Sequence, residues 1–142
     1  MAQIKEKKIK IASVIENFCS DGFAEGELER SESCSSGFLK ISDNEYNLTC
    51  AEDTEGGRLV TDIVITEDTV RVKRVGAIES EMIFKEGMIH KSTYSIPPYS
   101  FDSEIMTKKI RNAMTSDGGR VDIFYNMKIG GAEKYVKMRI EC

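Results

Sequence analysis

Tryptophan is absent from the 142-residue chain, histidine occurs once, and proline occurs only as the adjacent pair Pro97-Pro98. Each scarcity removes a class of function. A zinc site needs about four ligands in tight local pairs. Cys19, Cys34, Cys50 and Cys142 form no Cys-x-x-Cys pair, and His90 is the only imidazole that could join them. No metal and no cofactor are therefore expected, and the cysteines are expected to stay reduced. A platform for single-stranded nucleic acid needs stacked aromatics in a basic groove. Six phenylalanines, five tyrosines and a net charge of -4 argue against one. There is no apolar run long enough to span a membrane. Lys5, Lys7, Lys8 and Lys10 are followed by no apolar block of signal-peptide length, so the expected location is cytoplasmic and the lysines read as a solvated strand entrance.

Catalytic signatures are missing as well. The chain has no Gly-x-x-x-x-Gly-Lys-Ser/Thr loop, no Gly-x-Gly-x-x-Gly turn and no Gly-x-Ser-x-Gly elbow. Its acidic residues mostly flank turns, as on a solvated surface.

What the chain does have is alternation. Leu59, Thr61, Ile63 and Ile65 share one parity; Val70, Val72 and Arg74 share another beyond the Glu67-Asp68 turn. Period-two patterning between turn signals is the mark of antiparallel strands. Turn signals recur along the chain at Asp21-Gly22, Ser36-Gly37, Ser42-Asp43-Asn44, Glu55-Gly56-Gly57, Glu67-Asp68, Glu86-Gly87, Pro97-Pro98, Asp117-Gly118-Gly119 and Gly130-Gly131. The cleanest strands are 121–129 and 134–140, a carboxyl-terminal hairpin. Two stretches also admit a helical turn: residues 11–18, and 105–114, where Met106, Ile110 and Met114 recur at helical spacing. A strand is preferred for 105–114 because a glycine turn leads from it directly into a strong strand. The expected fold is all-β, a single domain over residues 1–142, with about 8–10 antiparallel strands in one up-and-down barrel that hides its edges.

Short motifs in order add a resemblance: Ser36-Gly37-Phe38, Tyr46 to Glu52, Val72-Lys73-Arg74-Val75-Gly76, Tyr94, Pro98-Tyr99, Thr107 and Tyr125-Asn126-Met127. Together, over roughly residues 9–141, they resemble the YwiB-like bacterial family. Where that family closes its proline turn with a glycine after the aromatic residue, this chain has Ser100. The resemblance implies a calycin-like barrel, related in shape to lipocalins and fatty-acid-binding proteins, and implies no reaction.

Arg74 is the outstanding residue because it occupies a position that the alternation assigns to the interior. An inward guanidinium must be paired or solvated. Tyr46, Leu48, Cys50 and Glu52 share a parity, so Glu52 is the expected partner. Two readings stand: a structural ion pair near the strand end at Gly76, or an anchor for the carboxylate or phosphate of a ligand. Tyr46, Tyr94, Tyr125 and Met127 would then furnish the surrounding wall. His90 shares parity with Ser92 and Tyr94, a polar face that could carry an imidazole-assisted nucleophile but is more simply packing. The expected function is non-enzymatic binding of a small apolar or amphipathic anion inside the barrel, with no catalytic residue. The alternative is a fully packed module that meets a protein partner through an exposed edge or the carboxyl-terminal hairpin.

Overall fold

The computed structural model describes residues 3–17 and 28–142. Its strands are β1 (Gln3–Asn17), β2 (Leu28–Ser42), β3 (Glu45–Thr54), β4 (Gly57–Ile65), β5 (Thr69–Gly76), β6 (Ser80–Lys85), β7 (Ile89–Ile96), β8 (Tyr99–Thr115), β9 (Gly118–Ile129) and β10 (Ala132–Glu141). All lie in one antiparallel sheet in the order β6-β5-β4-β3-β2-β1-β10-β9-β8-β7. Every neighbour in that order is consecutive in sequence except β1 and β10. Their ladder, from Lys10↔Glu141 to Asn17↔Lys134, curls the sheet round. The remaining edges, β6 and β7, meet through the bridge Glu79↔Ser95, with a 2.8 Å hydrogen bond in each direction. The result is a nearly closed up-and-down barrel, in which nearly every strand edge is paired.

The alternation of each strand sets what faces inward. On β3 to β6 the buried positions are Leu48, Cys50, Leu59, Thr61, Ile63, Ile65, Val70, Val72, Ser80, Met82 and Phe84. On β8 the parity changes. A bulge between Thr107 and Lys109 shifts the register against β9 by one residue, so Ile105 and Thr107 point inward before it and Ile110 and Met114 pack on the core after it. That shift explains why 105–114 mimics helical spacing while forming a strand. Residues 11–17 are strand too, in β1. β2 begins at Leu28, ten residues ahead of the alternation visible at Phe38. Cys19 and the Asp21-Gly22 turn lie outside the described residues.

The two ends of the barrel differ. The end bearing the Asp43-Asn44, Glu67-Asp68, Glu86-Gly87 and Ser116-Asp117 turns is solid, with Leu39, Ile65, Val70, Phe84, Val121, Ile123 and Ile140 all at 0% exposure. The other end bears the Glu55-Gly56, Pro97-Pro98 and Gly130-Gly131 turns. There the inward side chains do not meet.

Candidate functional site

At that second end a cavity of about 450 Å³ is bounded by inward residues of nine strands, among them Ile11, Ser33, Glu52, Arg74, Tyr94 and Tyr125. Its depth is set by strand position. Arg74 is the last inward residue of β5 before the fully buried Val72 and Val70, and Met82 is the last of β6 before Phe84. Tyr125 likewise precedes Ile123 on β9, and its ring packs on Phe84 with centroids 4.7 Å apart. These three residues form the floor. Above them the wall is largely apolar, with Leu59, Ile78, Met127, Ile129 and Ile15, and the rim carries Glu52 and Lys134.

Polar groups at the floor, and buried beside it, lack partners among the described residues. Arg74 and Glu52 line the same cavity, yet no ion pair within 4.0 Å joins them, and neither makes one with another described residue. The expected Arg74–Glu52 pair is thus absent. Register explains it: Glu52 opposes Leu59, which opposes Gly76, while Arg74 opposes Thr61. The two residues are therefore on strands separated by β4, about 9–10 Å apart across the sheet even before the offset along it. Ser80, directly opposite Arg74, and Thr107, directly opposite Tyr125, each bury a hydroxyl oxygen with no hydrogen-bond partner. Among the described residues the hydroxyls of Tyr125 and Tyr94 likewise have no hydrogen-bond partner. Burial raises the Tyr125 pKa, the Arg74 charge opposes that rise, and Tyr94 adds to it. The phenol is therefore a neutral donor at physiological pH.

Of the residues singled out in the sequence, Glu52, Arg74, Tyr94, Tyr125 and Met127 meet in the cavity. Tyr46 does not. It packs against the core at the solid end, because β3 runs from that end toward the cavity and Tyr46 starts it. His90 is also elsewhere: it stands at the gap between β6 and β7, its Nε2 3.3 Å from the Glu81 carbonyl oxygen. Ser92 Oγ lies 3.1 Å from Ser103 Oγ instead of engaging the imidazole. His90 and Ser92 thus make no nucleophile–base pair. Ser31 and Ser33 line the cavity and were not anticipated. Their only trace in the sequence is the period-two serine run Ser31, Ser33, Ser35. Cys34, Cys50 and Cys142 are free thiols, and among the described residues no group of His, Cys, Asp or Glu could hold a metal ion. No helix among the described residues is long and apolar enough to cross a membrane.

Comparison with known proteins agrees with this architecture. Residues 16–141 match the family described as a domain of unknown function, DUF1934. The chain is 25% identical over 128 residues to the uncharacterized beta-barrel protein YwiB of Bacillus subtilis (strain 168), covering 90% of this chain and 85% of that protein. The crystal structure of the Bacillus subtilis ywiB protein superposes with a TM-score of 0.75 at 23% identity, over 97% of this chain and 94% of the other.

Proposed function

Because the chain belongs to the DUF1934 family, whose description assigns no activity, we propose a function from the interior itself: a cytoplasmic β-barrel that binds a small amphipathic anion, with Arg74 as its anchor. The observation that carries this reading is a half-buried guanidinium on the floor of a mostly apolar cavity that no carboxylate of the described residues reaches within 4.0 Å, although Glu52 and Glu32 line the same cavity. Buried polar groups are ordinarily satisfied, and an inward charge without a counterion is costly. A ligand carboxylate or phosphate would supply the missing charge, accept from the forked guanidinium, and accept again from the Tyr94 and Tyr125 phenols. The cavity volume lies within the range of small-molecule sites, which is about 300–1,000 Å³.

The test is titration of fatty acids and anionic dyes against the parent and Arg74→Met. Saturable binding by the parent that weakens by about 10-fold or more in the variant is the expected result, in line with the loss of a charge-assisted contact. Binding unchanged in Arg74→Met removes Arg74 from the site. No binding at all leaves the packed module, acting through an edge or the carboxyl-terminal hairpin, as the better account.

A further inference from the structure

The cavity has Arg74 at its bottom, Glu52 and Lys134 at its rim and a largely apolar wall between them, and this layering constrains how an amphiphile can lie in it. Below Arg74 and Tyr125 there is no room for a hydrocarbon chain: Val70, Val72, Phe84 and Ile123 are all at 0% exposure. A tail can only run upward, past Met127, Ile129 and Ile78.

Above that wall the β7–β8 hairpin overshoots its neighbours. The last β8–β9 pair at this end is Ser103↔Ile129, so Tyr99 to Asp102 project beyond β9 by four residues, about 13 Å of strand. On the same face as the cavity-lining Tyr94, this projecting part carries Ile96, Tyr99 and Phe101, paired as Tyr94↔Phe101 and Ile96↔Tyr99. They are 44%, 67% and 41% exposed. Scattered exposed apolar residues need no explanation, but three clustered on the inward face of an overhanging hairpin do. The patch is continuous with the cavity through Tyr94.

Resting on the anion-binding reading, we infer that the ligand is a long-chain amphiphile that enters head first, its anionic group at Arg74 and its tail lying outward against the inner face of the β7–β8 hairpin. The hairpin is then the second half of the site, and it selects for chain length. Arg74 fixes the head; Ile96, Tyr99 and Phe101 cover what the cavity cannot hold.

The experiment compares hexanoate, dodecanoate and hexadecanoate on the intact parent protein and on the Tyr99→Ser/Phe101→Ser variant. Both changes are at exposed positions, so the barrel is expected to fold. For the parent, affinity should rise with chain length by up to about four-fold per buried methylene. The variant should bind hexanoate like the parent and lose about 10-fold or more toward the two longer chains. An equal loss for all lengths, or none for the long chains, overturns the inference while leaving the anion site standing; failure of the parent to bind any of the three sinks the underlying reading instead. Orientation is tested with undecanoic acid carrying a dansyl group at the end remote from the carboxylate. Head-first entry predicts that it binds with the dansyl emission shifted to the blue in the parent and less so in the variant. Exclusion of this probe by a parent that binds dodecanoate means the tail goes in first.

Discussion

Arg74 is conspicuous because no carboxylate among the described residues comes within ion-pair distance of it, Glu52 in the same cavity included, and the stability of the protein should reflect that. Breaking a true buried ion pair costs about 3–5 kcal/mol; Arg74→Met, which removes an unpaired charge and keeps an unbranched apolar stem, is expected to leave the denaturation midpoint unchanged or to raise it. A loss of the size expected for a broken pair, seen in urea unfolding, would show that a carboxylate reaches it in solution. The opposite arrangement occurs on the outer surface at Asp122, which is 6% exposed and bound at both oxygens by Arg139, Nε at 2.7 Å and one terminal nitrogen at 3.3 Å. That hydrogen bond holds the Asp122 carboxyl below its usual pKa, with burial opposing it and the charges of Arg139, Lys137 and Arg120 reinforcing it. A depressed folded-state pKa stabilises the fold above the unfolded value of about 4, and the contribution fades as pH falls through the folded value. Asp122→Asn should therefore be less stable than the parent at neutral pH, and the gap in urea midpoints should close on acidification. A gap independent of pH would assign the effect to packing. Cys142 offers a simpler check at this scale. Burial raises its thiol pKa, with a backbone hydrogen bond from Gly119 and the Lys7 charge working against the rise. Exposed Cys34 should react before Cys142 and buried Cys50 with a thiol reagent near neutral pH.

Among the elements, those with regular alternation were legible in the sequence. β4, β9 and β10 put mostly apolar residues at every second position, broken by Thr61 and Lys134, and a half-buried strand fits that pattern best. β2 was half hidden, since its inward positions toward the cavity are Ser31, Ser33 and Ser35, which present no apolar stripe. The same serines were therefore lost from the candidate site. Tyr46 was misplaced for a different reason: parity says which face a residue occupies and is silent about which end of the barrel it occupies. The Arg74–Glu52 pairing failed because facing inward on nearby strands does not ensure contact once an intervening strand and its register are included. Gly76 carries a prediction of its own. Its φ is +118°, and an added Cβ would collide with the Arg58 carbonyl oxygen. Gly76→Ala should cost about 1–3 kcal/mol through that strain and disturb the strand end that presents Arg74, read as a lower melting temperature together with weaker anion binding. At the β6–β7 gap the ladder is replaced by a bridge and the His90 contact. Amides of 80–85 and 89–94 that face this gap are accordingly expected to exchange with solvent faster than those of the β1–β10 ladder. Uniform protection round the barrel would contradict the gap.

Taken whole, the molecule divides its length between a solid half that holds it together and a hollow half that encloses the cavity. The solid half should dominate stability. Phe84→Ala, at 0% exposure, is expected to cost about 3–5 kcal/mol, whereas serine at Tyr99 or Phe101 should cost little. The closure of the sheet has one further consequence, and it concerns time. Ladders between consecutive strands form from local contacts, but β1 and β10 must find each other across more than a hundred residues, from Lys10↔Glu141 to Asn17↔Lys134. Long-range pairing of this kind slows folding, because chain entropy is lost before contacts compensate for it. The strands on either side of that late join supply Ile11, Ser13 and Ile15 and, opposite them, Lys134, Val136 and Met138 to the cavity wall. A growing chain on the ribosome therefore has no container to fill until β10 emerges and docks, and a ligand that binds the finished barrel acts after that step, slowing its reversal instead of guiding the chain toward it.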